Sequence, residues 1–391
     1  YNNNNSYLFI YFHMKYCSKC LQPDTRPNIS FKKGVCPACI YAEELKNVDW
    51  QERYDILENI VSGYRDKKKD GAFDCIIGVS GGKDSTRQAL WIRDKLKLNP
   101  LLVCLSYPPE QVTNLGVNNL SNLIELGFDT LISYPSPLNW KKLVKLSFLK
   151  FSNWGKSTEL ALFSAVPQIA IDYKIPLIFW GENPGLQLGD LKTLGKTGYD
   201  GNNLRNMNTL SGGEANWILN SKIPRKELNP YIYPSEKEFE DNNLQIIYLG
   251  WFMGDWSLIN NALYSVSDGL NIRVDGVEKT GDLAGVSALD DDWVILNQMI
   301  KYYKFGFGKV SDYCNEEIRL GRLTKEEAKV YIEKFDDACD EKYIESFCNY
   351  IEISIDEFWK HVRQSTNKKL FDVKKNGKII PKFEVGFGLK R

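Results

Sequence analysis

Short apolar runs alternate with amphipathic stretches through the middle of the chain. Four runs have the length of buried strands: 73–79, 101–105, 128–134 and 176–180. Residues 86–98 and 158–174 are predicted helices, the second with a break or kink at Pro167. Another predicted helix carries on one face Val117, Leu120, Leu123 and Ile124. Strands that alternate with helices predict an α/β fold, with a parallel sheet covered on both faces.

The regions on either side of this pattern differ from it and from each other. Residues 183–235 are rich in Gly and Asn and are predicted to form long functional loops. The chain from about residue 290 is predicted to be mainly helical. The expected organisation has five parts: an extension at 1–13, a turn-rich module at 14–42, a connecting helix at 43–70, the α/β domain at 71–270, and a mainly helical C-terminal region at 271–391.

Composition narrows the possible classes of protein. The 391 residues carry 50 basic and 50 acidic side chains, and this balance argues against a general nucleic-acid binder. No apolar run reaches the roughly 18 residues that span a membrane, and the apolar residues 7–12 are too short and lack the basic lead of a signal peptide. The nine cysteines do not form the pattern of a secreted disulfide framework, so we expect a cytoplasmic protein.

Four cysteines near the N-terminus have the spacing of a structural metal site. The pattern is Cys17-x2-Cys20-x15-Cys36-x2-Cys39, in which two CxxC turns supply four thiolates. The loop between the pairs has little apolar content and needs a metal to fold. The pattern predicts a closed, structural Zn²⁺ site in a zinc-ribbon-like module. Disulfides are the alternative, and the cytoplasmic interpretation disfavours them.

A polar loop follows the first predicted strand and precedes a helix. It reads Ser80-Gly81-Gly82-Lys83-Asp84-Ser85. The glycines let backbone N–H groups approach an anion, the helix N-terminus adds free N–H groups, and Lys83 adds a full positive charge. These features predict a phosphate or pyrophosphate ligand. The Walker pattern does not fit, because Asp84 stands where it requires Ser or Thr.

The loop resembles the PP-loop of the ATP pyrophosphatase superfamily, whose members cleave ATP between the α- and β-phosphates and transfer AMP to a carbonyl oxygen. The resemblance implies that residues 80–85 bind ATP and that Lys83, Asp84 and Glu182 are catalytic, with Mg²⁺ beside the pyrophosphate. Glu182 and Asn183 follow the fourth predicted strand and should reach the same sheet edge. Asn183 is a candidate substrate ligand, and a helix cap before Pro184 is its alternative role.

A second resemblance extends over most of residues 14–360. The chain is similar to the N-acetyl sugar amidotransferase family of surface-polysaccharide biosynthesis, which includes the WbpG and PseA proteins. The shared segments include Met14–Cys17, Pro23–Pro27, the four cysteines, residues 80–85, Ile175–Asn183, Tyr248–Gly250 with Asp255, and Lys304–Lys309 leading to Glu317–Arg322 and Lys325–Glu327. The family's usual pattern has Arg where Lys309 stands and His where Leu320 stands.

This resemblance implies an ATP-dependent enzyme that converts a sugar acetamido group to an acetamidino group in lipopolysaccharide, O-antigen or nonulosonic acid biosynthesis. The chain has only two histidines, His13 and His361, and no recognisable glutaminase motif. A separate glutaminase subunit is therefore expected to supply ammonia. The sugar is expected to be acidic or nucleotide-linked. Lys309, Arg319 and Arg322 are candidate ligands for it. Arg319 and Arg322 are three residues apart on a predicted helix and would share one face that binds an anion, with solvated surface charge as the alternative role for these two arginines.

Two other functions remain open at this point. The first is a tRNA-thiolating PP-loop enzyme, which would favour a basic surface and a catalytic cysteine pair after the loop. The second is a non-enzymatic partner protein, in which the cysteine module docks another protein and the loop only senses ATP. The neutral composition disfavours the first, and the intact loop disfavours the second.

Overall fold

The structure is a computed structural model that describes residues 14–65, 73–213 and 215–390. The predicted extension at 1–13, with His13, and the end of the predicted connecting helix lie outside the described residues. The helices are α1 Pro37–Glu44, α2 Trp50–Ser62, α3 Lys83–Asp94, α4 Asn114–Glu125, α5 Pro137–Phe151, α6 Gly155–Asp172, α7 Pro184–Gln187, α8 Asn216–Leu219, α9 Glu236–Asp241, α10 Leu258–Ser267, α11 Val277–Thr280, α12 Trp293–Phe305, α13 Lys309–Arg319, α14 Lys325–Phe335, α15 Glu341–Ile351 and α16 Ile355–Ser365. The strands are β1 Cys75–Gly78, β2 Pro100–Leu105, β3 Thr130–Ser133, β4 Leu177–Trp180, β5 Gln245–Tyr248, β6 Phe371–Val373, β7 Ile379–Pro381, β8 Phe383–Glu384 and β9 Gly388–Leu389.

Five strands form one parallel sheet in the order β3-β2-β1-β4-β5, which confirms the predicted α/β class. Ile76 of β1 pairs with Leu101 on one side and with Ile178 on the other. The strands run as nearly continuous apolar sequence because both faces of the sheet are covered. The fifth strand was not predicted, since only Ile246 and Ile247 mark it between polar neighbours.

The strand order reverses beside β1. The chain continues from β1 to β2 on one side, whereas β4 lies on the other side and is followed outward by β5. Loops that leave the carboxyl ends of β1 and β4 therefore diverge and open a crevice between them. This is the position at which open α/β sheets bind their ligands.

Alternate strand residues reach two different hydrophobic layers. Ile76 joins the layer formed by α5, α6 and the C-terminal helices, whereas Ile77 faces the layer that contains Leu57 and Val61 of α2. The first layer also includes Met14 and Leu21 from the N-terminal module. The module, the sheet and the C-terminal helices thus share one packed core.

Two helices differ from their predicted form. Helix α6 continues through Pro167 without a break, and Pro167 itself is buried. Helix α4 buries Gly116, Asn119 and Leu123, whereas Val117 and Ile124 are each 47% exposed. Small and polar residues occupy the buried side because it meets backbone: a Cβ on Gly116 would lie 2.5 Å from the Cα of Asp290.

Two further regions refine the prediction. The described residues between 183 and 235 form short helical turns, such as Asn202–Asn206 and Arg225–Tyr231. The helices of the C-terminal region end at Ser365, and two short antiparallel pairs follow, β6 with β7 and β8 with β9. Across the described segments, none of the helices combines the length and the apolar character needed to cross a membrane.

Candidate active site

The loop after β1 has a backbone shape that requires glycine. Gly81 has φ of +75°, and a Cβ there would lie 2.8 Å from the backbone nitrogen of Leu120 in α4. Gly82 stands at the N-terminus of α3, and no side chain caps this helix. The first N–H groups of α3 are consequently open to an anionic ligand, as the sequence pattern requires.

Lys83 is buried and points toward two carboxylates. Its Nζ lies 2.6 Å from Oδ2 of Asp84, and the Lys83 side chain is 10% exposed. Burial lowers the pKa of Lys83, but the charges of Asp84 and Glu182 outweigh burial and raise this pKa above its usual value. Lys83 thus holds a fixed positive charge directly beside the uncapped helix end.

Helix α10 fixes the first turn of α3 through three polar contacts. Nδ2 of Asn261 donates to Oδ1 of Asp84 at 2.7 Å, and its Oδ1 accepts from Arg87 at 2.6 Å. Oγ of Ser265 donates to the carbonyl of Lys83 at 2.6 Å. Arg87 also pairs with Asp255 at 2.6 Å. These contacts orient Asp84 and leave its Oδ2 to Lys83.

The residues after β4 reach the same crevice. Glu182 is exposed to solvent and forms part of the walls of a concave surface. Desolvation by these walls and the nearby charge of Asp84 raise the pKa of Glu182 to about 7, although Lys83 acts in the opposite direction. Glu182 therefore changes its charge near neutral pH.

Asn183 makes the contacts of a helix cap, which is its alternative predicted role. Its Oδ1 accepts from the N–H of Gly185 at 2.9 Å at the start of α7, and its Nδ2 donates to the carbonyl of Gly198 at 2.6 Å. The residue is 2% exposed. Asn183 thus caps a helix and fixes the loop around residue 198, and it lines neither of the two cavities described next.

Two cavities meet at the loop. The inner cavity, of about 400 Å³, extends from residues 78–85 under α6, and the outer cavity, of about 300 Å³, extends toward α1, α10 and α13. Four residues line both: Lys83, Asp84, Glu182 and Leu188. The three predicted catalytic residues therefore stand at the junction between two separate spaces.

The inner cavity is mainly apolar beyond the loop. Its walls include Val103, Leu105, Leu162, Phe163, Val166, Trp180, Leu204, Met207, Val286 and Leu289. Gln88 also lines it and is 2% exposed, and among the described atoms no partner hydrogen-bonds its Oε1. Asp290 lines it too, with its pKa raised to about 6 by burial. The space suits a flat, largely apolar group joined to an anion at the loop.

The outer cavity is more polar and is built from distant segments. Trp50 and Trp256 provide aromatic walls, and α13 provides charged side chains. Lys309, Asp312, Glu316 and Arg319 recur at intervals of three or four residues, so they share one face of that helix. Gly181 and Gly250 leave room for the Trp256 ring, since a Cβ on either would lie 3.0 Å from it.

The three basic candidates separate into two groups. Lys309 and Arg319 line the outer cavity. Arg322 does not: it lies past the end of α13 and makes two 2.8 Å contacts with Glu317 and one of 3.0 Å with Asn260. The predicted shared helix face of Arg319 and Arg322 is wrong, because α13 ends at Arg319 and the chain turns at Gly321, where φ is +71°.

The four N-terminal cysteines converge as their spacing predicts. Their sulfur atoms all lie within 4.8 Å of one another, and Sγ of Cys20 is 3.7 Å from Sγ of Cys36. None of these cysteines forms a disulfide. A tetrahedral zinc ion with Zn–S bonds of about 2.3 Å needs sulfurs about 3.8 Å apart. The donor set and its spacing thus fit a four-thiolate metal site.

Backbone groups surround this cluster in the manner of a thiolate site. The N–H of Cys36 donates to Sγ of Cys17 at 3.2 Å, and the N–H of Cys39 donates to Sγ of Cys36 at 3.4 Å. Helix α1 begins directly after Cys36. Burial lowers the pKa of Arg319, but the charges of Cys20, Cys39 and Cys36 outweigh burial and raise it. Arg319 therefore lies within electrostatic reach of the cluster.

Several residues of the site escaped the sequence analysis. Asn261, Trp50, Trp256 and Glu316 have no local motif around them, and only the folded chain brings them to the crevice. Glu316 accepts from the N–H of Leu258 at 2.7 Å. Its place in the helical series of Lys309 and Arg319 is the one signal that could have identified it. The prediction placed Arg319 on a helix face with Arg322, and it therefore did not include Glu316.

A parallel α/β sheet with polar loops at its strand-order reversal defines a ligand-binding α/β protein. Comparison with known proteins then narrows the class. Residues 287–384 match the family model described as "LPS biosynthesis protein WbpG-like, C-terminal domain". This match confirms, over these residues, the predicted resemblance to the WbpG/PseA-like family. Lys309, Arg319 and Glu316 lie inside the matched range. The likeness of residues 80–85 to PP-loop proteins stays a prediction.

A curated relative matches a different extent of sequence. The chain is 29% identical over 113 residues to the uncharacterized protein MJ1599 of Methanocaldococcus jannaschii. The match covers 27% of this chain and 38% of that protein. The name of that protein states no activity, so the similarity does not indicate a function for the site.

Proposed function

We propose that this protein is an ATP-dependent, AMP-forming amidotransferase that converts the N-acetyl group of a sugar into an acetamidino group. The WbpG-like match supports a role in lipopolysaccharide-related sugar biosynthesis. One observation carries the specific chemistry: Lys83, Asp84 and Glu182 line both the inner and the outer cavity. A reaction between two bound substrates requires such a junction.

The two cavities suit different substrates. The inner cavity accepts the adenosine of ATP, with its phosphates on the free N–H groups at Gly82 and the start of α3. Its volume of about 400 Å³ lies within the range of small-molecule sites. The outer cavity accepts the sugar between Trp50 and Trp256, because aromatic rings present broad apolar faces with polar edges. Lys309 and Arg319 favour a sugar with a carboxylate or phosphate.

The reaction forms and breaks bonds at the junction. The acetamido oxygen attacks the α-phosphorus of ATP, and pyrophosphate leaves. Ammonia then attacks the carbon, gives up a proton, and AMP departs with the former acetamido oxygen. Lys83 stabilises the negative charge that grows on the pyrophosphate. Asp84 and Glu182 would hold Mg²⁺, which supplies further positive charge to the phosphates when bound.

Glu182 also gains a pH-dependent role from its surroundings. With a pKa of about 7, it is partly ionised at neutral pH. Its ionised form would hold the metal more readily than its neutral form does. We therefore expect the reaction rate to rise with pH through about 7.

Ammonia must come from elsewhere. Among the described residues, His361 is the single histidine. His361 lies in α16, where its ring packs against Phe148 of α5, and it lines neither cavity. A glutaminase of the Cys–His type needs a cysteine nucleophile and a histidine base together in its active site. We propose a separate glutaminase subunit as the physiological source of ammonia.

The test measures pyrophosphate release from ATP with ammonium chloride and a panel of free and nucleotide-linked N-acetyl sugars. The expected product shows the mass change of O exchanged for NH. An acceptor labelled with ¹⁸O in its acetamido group should deliver the label to AMP. The Lys83→Ala variant is the inactive control, and Lys375→Ala, on an exposed turn far from the crevice, is the matched active control.

Other outcomes contradict the proposal in distinct ways. Pyrophosphate release that depends on tRNA, with no amidated sugar, would assign the chain to the tRNA-thiolating class. Binding of ATP without pyrophosphate release for any acceptor would favour a non-enzymatic partner protein. Label retained in the sugar would exclude activation of the acetamido oxygen.

A further inference from the structure

The cysteine module contacts only one of the two cavities. Among the residues that line the outer cavity are Ala38, Tyr41, Ala42 and Leu45, all within the ten residues that follow Cys36. The lining of the inner cavity begins at Gly78 and includes no residue of the module. The module is therefore a wall for one substrate space and is absent from the other.

Arg319 lies between the cysteine cluster and the outer cavity. It lines that cavity, and it also lines a surface groove of about 730 Å³ whose lining includes the buried Cys39. The residues common to cavity and groove are Ala42 and Arg319. A small side chain from α1 and one guanidinium thus separate the outer cavity from the metal module's surface.

The module is fastened to the helix that carries Arg319. The N–H of Leu21 donates to Oδ1 of Asn315 at 2.7 Å, and Oγ1 of Thr25 donates to the carbonyl of Phe305 at 2.5 Å. Arg26 forms an ion pair with Asp312. These contacts join both ends of the module's first loop to α12 and α13. A displacement of the loop would therefore move the α13 face that lines the outer cavity.

The apolar core around the cluster itself is small. The buried apolar side chains packed with the cluster are Ala38 and the cysteines themselves, with Phe31, Val35 and Ile318 partly buried beside them. Met14 and Leu21 pack elsewhere, in the core shared with the C-terminal helices. The local core offsets little of the entropy of ordering the residues around the cluster, so we expect a bound ion to contribute much of the rest. Four thiolates on a divalent ion also leave a net charge of −2, which attracts the guanidinium of Arg319.

We propose that metal occupancy of the cysteine cluster builds the acceptor half of the site, through α1 and Arg319, and leaves the nucleotide half unchanged. This inference rests on the proposed function for the identity of the two halves. Metal binding then has a specific role beyond stability: it sets the position of the anion-binding arginine. Loss of the metal yields a protein that binds ATP and has no formed acceptor cavity.

Hydrogen–deuterium exchange on the full chain, with and without a zinc chelator, tests this directly. We expect exchange to accelerate about tenfold or more in residues 37–47 and 309–320, with little change in α3. Binding of a non-hydrolysable α,β-methylene ATP analogue should persist in the metal-free protein. Binding of UDP-N-acetylglucosaminuronate, an anionic N-acetyl sugar probe, should be lost on metal removal.

The outcomes separate the two proposals. Equal loss of protection in α3 and of ATP-analogue binding would overturn the inference, since the metal would then support the whole fold. Unchanged protection in 309–320 would overturn it as well. Failure of the metal-loaded protein to bind the ATP analogue would instead contradict the proposed function.

A cobalt-loaded protein provides a measurement that needs no metal removal. The charge-transfer bands of a Co²⁺–thiolate site report on the groups beside the sulfurs. Arg319→Gln should shift these bands, whereas Arg322→Gln should not, because Arg322 is held by Glu317 and Asn260 and lines neither cavity. Identical spectra for both variants and the unaltered protein would show that Arg319 does not sense the cluster.

Discussion

The two halves of the candidate site are encoded in different ways. The nucleotide half is written mainly in one stretch, residues 78–85, and a strand–loop–helix unit places it automatically at the sheet edge. The acceptor half is collected from residues as distant as Ala38 and Leu320. A short motif can define the first half, whereas the second exists only after the module, α10 and α13 have packed together.

The difference also appears in how the chain departs from its family's usual pattern. Residues 80–85 show no departure from the predicted PP-loop pattern. The two departures, at Lys309 and Leu320, both lie in the outer cavity. Leu320 is 47% exposed there, where the family's usual residue is polar. We interpret the outer cavity as the part of the site that adapts to a particular acceptor, while the loop keeps a constant role.

The largest expected effect comes from substituting Lys83, one of the residues that line both cavities. Lys83→Ala removes a buried positive charge beside the phosphate loop, and we expect pyrophosphate release to fall about 10²- to 10³-fold. The acceptor should bind nearly as well as before if the halves are separate. Steady-state rates and calorimetric titration with each substrate measure both. A matched loss of acceptor affinity would show that the two halves bind as one.

A second substitution breaks the loop of the nucleotide half. Gly81→Ala places a Cβ 2.8 Å from the Leu120 nitrogen at φ of +75°, so we expect the free energy of unfolding to fall by about 2–4 kcal/mol. Gly127→Ala is the control, because Gly127 has φ of +91° and open space around it. Urea denaturation of both variants separates the cost of the close approach from that of backbone strain. Equal losses of stability in the two variants would mean that α4 shifts to accommodate the added methyl group.

A third substitution sharpens the comparison from the acceptor side. Arg319→Gln should weaken binding of an anionic acceptor about tenfold, the value of one hydrogen bond to a charged group, and leave ATP affinity unchanged. Arg322→Gln should change acceptor affinity less than Arg319→Gln does. Titration of both variants with UDP-N-acetylglucosaminuronate checks this. Larger loss at Arg322 would place the anion outside the outer cavity.

The smallest effect concerns the junction and its dependence on pH. Glu182 has a pKa raised to about 7 in the folded protein, above its ordinary value near 4.5. Its contribution to stability is therefore present below about pH 4.5 and is lost as pH rises through about 7. Glu182→Gln should flatten the pH dependence of unfolding across this window.

The pH measurement is a difference between two proteins. Asp290 and Asp336, with pKa values raised to about 6, titrate in the same range in both, so subtraction isolates Glu182. Parallel curves for the variant and the unaltered chain would show that Glu182 has an ordinary pKa.

The same contrast explains what could be predicted from the sequence. Local signals sufficed for four of the five strands of the sheet, because continuous apolar runs such as 101–105 are typical of buried strands. They also sufficed for the loop and the cysteine cluster, whose geometry follows from spacing within a few residues. The α4 face was wrong because its neighbours are backbone, and Gly116 and Asn119 fit there better than apolar side chains.

Long-range features required the folded chain. Trp256 reaches the cavity only because Gly181 and Gly250, on adjacent strands' ends, leave room for its ring. The pairing of Arg322 with Glu317 depends on the turn at Gly321, a glycine helix stop that the sequence does contain and that the predicted helix ignored. The predicted ATP, Mg²⁺ and Zn²⁺ ligands remain predictions that the experiments above address.

The hydrogen bond from Leu21 to Asn315 joins residues 294 positions apart. During synthesis, the strands and the phosphate loop leave the ribosome long before α13 does. The cysteine module can take up its metal early, yet the surface it fastens to does not exist until the last quarter of the chain has emerged. A nascent chain thus acquires the loop at residues 80–85 first and the complete outer cavity last.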